Sequence, residues 1–323
     1  MVDSSHIKSI AVIGAGVMGH AIAQEFAVAG YDVRLTARSE ESLSRAMDRV
    51  RDNVERLQAM GKLNEDEGHR ATQNIRTSVS LAETVDSVDI VMEYVFEDID
   101  VKRELFAELD RLCRPHTILA TGTSSLMPSD LATATSRPDK VLAAHYANPP
   151  YLLPFVEIVG AKGCSAESIQ AVVDLLTGMG KQPVVLQKEV PGFAAMRLQG
   201  ALLREALWLV ERGVLTPAGV DTIIKTGIGR RWAVAGVFEV FELAGWDLLA
   251  GIAEWLFPHL ENSPEVPPVL RDGVERGDLG VKTGKGFYEW TPESEETLRR
   301  RIASALIEIE GWPRDDAGAT LRP

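Results

Sequence analysis

The 323-residue sequence predicts an α/β domain built on a mostly parallel, doubly covered sheet, followed by an all-α domain. Three observations predict it. Over the first 190 residues, short β-branched runs alternate with helical segments, the pattern of βαβ units. A Gly14-x-Gly16-x-x-Gly19 turn stands between the first expected strand and the first expected helix. At Pro191-Gly192 the alternation stops and only helical patterns follow, which divides the chain into residues 1–190 and 191–323.

Each element has a local reason. Residues 10–13 (Ile-Ala-Val-Ile) form an apolar run short enough for a buried strand, and the glycine turn leads from it into a helix ending near Ala29. Residues 33–36 give a second strand. A 3.6-residue apolar period runs from Glu40 to about Met60, with a charged helical piece at 65–70. Further strands fit 90–93, 118–121, 141–144, 155–159 and 184–186. Helices fit 194–212, 217–226, 237–256, 266–277 and 292–309, with the proline-rich 262–268 as a loop.

Composition narrows the partners. Lys plus Arg number 34 against 47 Asp plus Glu, a net charge of −13, which repels nucleic acid and anionic membranes. Arg230-Arg231 and the run 299–301 are too short to make a basic patch. Cys113 and Cys164 have no partners at metal-ligand spacing and read as reduced thiols, and no metal is expected. The first eight residues lack a basic segment leading into an apolar one, and no apolar run reaches the ~20 residues of a membrane span. A cytoplasmic protein is expected.

After a strand and before a helix, the glycine motif is that of a Rossmann-type dinucleotide site. Gly14 permits the tight turn, Gly16 the approach of a pyrophosphate, and Gly19 close helix–strand packing. Gly14, Gly16, Val17, Met18 and Gly19 are assigned to the cofactor, with the helix N-terminus supplying N–H groups to the phosphates. NAD-type sites place an acid at the end of the second strand, to hold the ribose diol. Ala37 stands there instead, and Asp32 lies at the wrong end of the strand. Without the carboxylate a 2′-phosphate is not repelled, and Arg38 and Ser39 offer it a guanidinium and a hydroxyl. NADP(H) is therefore favoured over NAD(H), the alternative being a solvated Arg38 and a ribose held by backbone.

Residues 141–159 read as two apolar strands around a loop containing Pro149, Pro150 and Pro154. Folded back near Tyr151, they set His145 opposite Glu157, and a carboxylate beside an imidazole fixes its tautomer and suits general acid–base work. Asn148 adds a polar group to the same mouth.

Together these motifs resemble the 3-hydroxyacyl-CoA dehydrogenase family over nearly the whole chain. The resemblance rests on VIGAGVMG (12–19), TSSL (123–126), HYANPPYLLPFVEIV (145–159), VPGF (190–193) and KTGKGFYEW (282–290). It implies that His145 is the catalytic base, Glu157 the carboxylate orienting it, and Ser124 a hydroxyl near the substrate oxygen and nicotinamide. It also implies that Glu97, Lys102, Asn148 and Lys282 line the cofactor site, and that a homodimer forms through the helical domain with the active site between domains. Two departures stand out. Met196 replaces the family's Asn before Arg197, a substrate-holding position, and by ungapped counting Asn53 and Met60 stand where CoA-thioester enzymes of the family have Ser and Lys.

The segments 124–131, 148–159, 187–193 and 210–221 are closer to the branch acting on small free acids, such as L-gulonate 3-dehydrogenase and carnitine dehydrogenase. The tail 282–290 is closer to the acyl-CoA branch. A small non-CoA 3-hydroxy acid is the favoured substrate, with a short-chain 3-hydroxyacyl-CoA as the alternative. A crystallin-like structural or cofactor-binding protein without turnover is the alternative of another class, opposed by the intact Ser124, His145 and Glu157. Arg231 could pair a free carboxylate, or Arg230 and Arg231 could simply end a helix or line a dimer interface. Trp232, Phe238, Phe241 and Trp246 fit core packing at helical spacing better than an aromatic cage.

Overall fold

The computed structural model describes residues 7–312, so the reading of the first six residues falls outside it. The chain divides into two compact units, Met1–Arg197 and Leu198–Pro323.

The first unit carries one eight-stranded sheet. Its elements run β1 (Ser9–Ile13), α1 (Gly19–Val28), β2 (Asp32–Thr36), α2 (Glu40–Ala59), α3 (Glu65–Gln73), β3 (Ile75–Ser78), α4 (Leu81–Val85), β4 (Ile90–Glu93), α5 (Ile99–Leu112), β5 (Ile118–Thr121), α6 (Pro128–Ala132), β6 (Val141–Tyr146), β7 (Phe155–Gly160), α7 (Ala166–Gly178) and β8 (Gln182–Val185). The strand order is β3-β2-β1-β4-β5-β6-β7-β8. All neighbours are parallel except β6 and β7, which form the antiparallel hairpin.

Alternation along each strand explains how the sheet is covered. Ile10 and Val12 of β1, Ile90 and Met92 of β4, and Ile118 and Ala120 of β5 pack with Ile22 and Phe26 of α1, Val50 of α2 and Leu175 of α7. Ala11, Val91 and Leu119 point the other way, against Phe106 and Leu109 of α5 and Leu131 of α6. Phe26 and Phe106 are fully buried, each worth roughly 1.5–3 kcal/mol of transfer free energy. The sheet order reverses between β1 and β4, and ligands of open α/β sheets bind beyond the strand ends at such a point.

Two expectations of strand position change. β3 has no counterpart in the sequence reading, because Ile-Arg-Thr-Ser at a sheet edge buries only Ile75. The last strand runs Gln182–Val185 rather than 184–186; Pro183 is tolerated because β8 is the other edge.

The second unit takes over within α8 (Ala195–Glu211) and continues as α9 (Pro217–Ile223), α10 (Gly229–Trp232), α11 (Val237–Glu242), α12 (Trp246–Leu256), α13 (Pro268–Glu275) and α14 (Pro292–Glu310). The helix expected over 237–256 is two helices, broken where Gly245 takes φ +88°. The helix expected over 217–226 passes at Ile224 into a single π-helical turn. Among the described residues no helix is long and apolar enough to cross a membrane.

Within this unit, Leu207 alone of the described residues is buried. The aromatic cluster is corrected accordingly: Trp232, Phe238, Phe241 and Trp246 are exposed, Phe238 at 75%, with the Phe238 and Trp246 rings 6.2 Å apart. Helical spacing marks an apolar face without saying what covers it.

Candidate active site

The glycine loop is fixed from beneath. Gly14 takes φ +101°, and a Cβ there would lie 2.4 Å from the Tyr94 carbonyl oxygen. A Cβ on Gly19 would lie 1.7 Å from the Gly14 carbonyl, so neither position admits a side chain. At Gly16 a Cβ would meet nothing within 4 Å. The first and third glycines thus serve packing, while the second faces open space, the arrangement a pyrophosphate cradle requires.

That open space is a cavity of about 780 Å³ lined by Gly14, Ala15 and Gly16 from the loop, Ala37 and Arg38 after β2, and Val95 after β4. Val17 is exposed and Met18 caps α1, and neither is in the cavity wall. Ser39 is the N-cap of α2, its hydroxyl accepting from the Ser42 N–H at 3.2 Å. Ser42 takes its place in the wall, together with Arg45 and Arg49 of α2. Spacing of four puts Arg45 and Arg49 on one helix face. Both escape the sequence reading, which seeks selectivity only at the end of β2. Arg45 pairs with Glu41 at 2.5 Å, whereas Arg38 and Arg49 make no side-chain hydrogen bond or ion pair among the described residues. Burial, and after it the nearby charge of Arg49, holds the His20 pKa down on the first turn of α1. Asp32 opens β2 and is paired with Arg34 and Arg76, as its position at the wrong strand end implies.

The hairpin sets the acid–base pair. Register places His145 directly across from Glu157, and His145 Nδ1 lies 2.8 Å from Glu157 Oε2. Glu157 is fully buried, and its other oxygen accepts the backbone N–H groups of Ala194 (2.8 Å) and Ala195 (2.9 Å). Those amides reach it because Gly192 (φ +76°) and Phe193 (φ +48°) turn the chain just before α8 begins. Phe193 is itself buried, its ring 5.8 Å from the His145 ring. Burial pushes the Glu157 pKa up, but the His145 hydrogen bond and the Ala195 and Ala194 amides overcome it, and the net shift is downward. An ionised carboxylate only accepts, so Nδ1 of His145 donates to it and the lone pair stands on Nε2. The sequence places the pair but not the two amides; a glycine just ahead of a helix start is the signal that points to them.

Ser124 and the pair share an end of the sheet. Thr121 pairs with Ala143, so the loop after β5 and the end of β6 leave the sheet side by side, carrying Ser124 and His145. Asn148 is exposed in the hairpin loop and Met196 is 44% exposed in the first turn of α8. Glu97 holds the loop after β5, accepting the Ser124 and Ser125 N–H groups at 3.1 and 3.2 Å. Lys102 is 1% exposed, with Nζ on Glu93 at 2.6 Å, and is not among the residues of the cavity wall. Arg231 and Lys282 belong to the second unit, where both are exposed and make no side-chain hydrogen bond or ion pair among the described residues.

Residues 9–190 match the family model described as 3-hydroxyacyl-CoA dehydrogenase, NAD binding domain, and residues 192–290 match its C-terminal domain. The chain belongs to the 3-hydroxyacyl-CoA dehydrogenase family. It is accordingly a dehydrogenase working on a CH–OH group with a nicotinamide cofactor. It is 36% identical over 326 residues to L-carnitine dehydrogenase of a Pseudomonas species, covering 98% of both chains. It is also 36% identical to a probable 3-hydroxybutyryl-CoA dehydrogenase of Bacillus subtilis (strain 168), over 88% of this chain and 98% of that one. Among solved structures it is similar to 5-formyl-3-hydroxy-2-methylpyridine 4-carboxylic acid 5-dehydrogenase, an NAD+-dependent dismutase. The TM-score is 0.87 at 31% identity, covering 95% of this chain and 100% of that one.

Proposed function

We propose that this dehydrogenase interconverts the 3-hydroxy and 3-keto forms of a small free acid, with His145 as general base and a preference for NADP(H). The buried His145–Glu157 pair carries the reading of the chemistry. A bound nicotinamide supplies the hydride acceptor, or the donor in reverse. His145 Nε2 removes the hydroxyl proton, Glu157 stabilises the imidazolium so formed, and the Ser124 hydroxyl donates to the substrate oxygen. Asn148 is proposed to hold substrate at the hairpin mouth, and Glu97 and Lys282 to face the cofactor. Arg231 is proposed to pair the substrate carboxylate and Met196 to leave room where the family's Asn would sit.

The free-acid reading draws support from α2. Asn53 is buried there, and Met60 brings no charge, so neither offers the hydroxyl or the ammonium that a CoA tail finds at these positions in the family. The NADP(H) reading draws support from Ala37 in place of an acid at the end of β2 and from three arginines in the wall, Arg38, Arg45 and Arg49, beside the carboxylate of Asp98, in a chain of net charge −13. Charge-assisted hydrogen bonds to a phosphate contribute about 1.5–3 kcal/mol each. Arg38→Ala is therefore expected to weaken NADPH binding ~10–100-fold and NADH binding less than ~3-fold, read by quenching of protein fluorescence. Equal affinity of the wild type for the two cofactors would remove the preference. In turnover, a panel of free 3-keto acids and acetoacetyl-CoA is offered with NADPH and NADH in parallel. Rapid reduction of a free acid is expected; rapid reduction of acetoacetyl-CoA alone would move the substrate to the thioester, and cofactor binding without any turnover to a structural role.

We also propose that a second copy of the chain covers the helical unit. Leu198, Leu202, Leu248, Ile252, Trp255 and Phe257 are large apolar side chains left exposed, exposed apolar patches mark interaction sites, and two-fold homodimers are the commonest way to bury them. Light scattering is expected to give twice the 35.3 kDa chain mass, with a melting temperature that rises with protein concentration. A monodisperse monomer at micromolar concentration would sink this.

A further inference from the structure

Beneath the Ser124 loop lies a cluster that neither the cavity nor the acid–base pair explains. Glu93 ends β4 fully buried, and Lys102 in the first turn of α5 is 1% exposed. Lys102 Nζ lies 2.6 Å from Glu93 Oε1 and 3.5 Å from Glu97 Oε2. Glu93 also accepts the Val95 N–H at 2.6 Å and the Thr121 hydroxyl at 2.7 Å, which ties the end of β4 to the end of β5. Glu97 in turn gathers the loop after β5: one oxygen accepts the Thr123 hydroxyl, the Ser124 and Ser125 N–H groups and, at 3.0 Å, the Ser125 hydroxyl. The Ser124 hydroxyl makes no hydrogen bond among the described residues, so its backbone is fixed while its side chain is left for substrate.

A buried ion pair is a poor source of stability, because apolar residues of similar size often do as well or better; what such a pair can supply is a defined geometry. Here the geometry ends at Ser124. We propose that Glu93 is a positioning residue, fixing Lys102 and thereby Glu97 so that the Ser124 hydroxyl is presented to the substrate oxygen. Lys102 then acts through Glu97, its ammonium held between the carboxylates of Glu93 and Glu97. Glu97 responds to the same neighbours: burial raises its pKa, but the Thr123 hydrogen bond, the Lys102 charge and the Ser125 and Ser124 groups bring it below the ordinary value. The proposal rests on the reading of Ser124 as a substrate-contacting hydroxyl.

The test is a mutant cycle at saturating substrate and cofactor, with cofactor affinity measured separately by fluorescence. Ser124→Ala and Glu93→Gln are each expected to lower kcat about 10-fold or more, and the double variant to be no slower than Ser124→Ala within ~3-fold, as coupled residues require. Because Glu93→Gln leaves Lys102 without a buried counter-charge and so threatens the fold, Glu93→Leu/Lys102→Met is made beside it, removing both charges. That variant is expected to melt near the wild type, bind cofactor within ~3-fold, and show the same loss of kcat. Losses that multiply in Glu93→Gln/Ser124→Ala would overturn the proposal. So would normal kcat with cofactor binding weakened more than ~10-fold in Glu93→Leu/Lys102→Met, since Lys102 would then contact the cofactor itself. A Ser124→Ala enzyme of normal kcat would bring down the reading of Ser124 and the proposal with it, whereas a slow one beside multiplying losses overturns the proposal alone.

Discussion

With His145 replaced by Ala, kcat is expected to fall ~10²–10⁴-fold while cofactor affinity stays within ~3-fold of the wild type, the loss characteristic of a missing general base. The separation follows from where the groups lie. The cavity at the glycine loop is also walled by α2, α5 and the ends of β1, β2 and β4, and His145 is on β6, outside that wall. The substitution leaves Glu157 buried but still holding the Ala194 and Ala195 amides, so the carboxylate is not abandoned and the fold is expected to survive. Added imidazole, which can enter the vacated space and take the hydroxyl proton, is expected to restore part of the lost rate. A variant that turns over normally at saturating cofactor would remove His145 from the mechanism, and a variant that loses cofactor binding would mean that the ring shapes the cavity instead.

The pair is legible in the sequence, and the reason is geometric. In a hairpin the residues facing each other stand equally far from the tip, and the register of β6 and β7 pairs His145 with Glu157 as the count from Tyr151 implies. Strands 90–93 and 118–121 are legible to the residue because buried parallel strands are continuous apolar runs bounded by turns. The glycine loop is legible for a similar reason, since backbone that lies against the Tyr94 carbonyl excludes every side chain.

What stays hidden depends on partners distant in sequence. The two amides on Glu157 come from 37 and 38 residues further along, and no local period announces them. Lys102 carries no mark of burial in a helix whose neighbours are charged; Glu93, nine residues back on another element, and Glu97 in the loop before the helix make its position tolerable. Arg45 and Arg49 read as the polar face of an amphipathic helix, and their relevance comes from the cavity that this face borders. The exposed aromatics of the helical unit show the opposite limit: their periodicity marks an apolar face, but it does not distinguish a core inside the chain from a face awaiting a second copy.

Glu157→Gln is the sharper probe of the same pair, because it changes charge and donor pattern while keeping volume. Its amide oxygen can still accept the Ala194 and Ala195 N–H groups, which turns the amide NH2 towards His145 Nδ1. Two donors then face each other unless the imidazole adopts the tautomer with its proton on Nε2, the atom that has to be basic. The expected loss in kcat is therefore ~10²–10⁴-fold, as large as removing the base, with cofactor binding unaffected. Stability gives an independent reading through pH. The folded-state pKa of Glu157 lies below its ordinary value of 4.5, so the folded state favours the ionised form. The stabilisation from that preference is fully present above about pH 4.5 and is lost as pH falls through the lower folded value. In Glu157→Gln no such group titrates. The wild-type and variant unfolding free energies are therefore expected to differ most above about pH 5 and to converge in acid, as followed by urea denaturation from pH 7 downward. A gap that stays constant with pH would show that the carboxylate contributes by shape alone, and a variant with normal kcat would show that His145 needs no carboxylate to choose its tautomer.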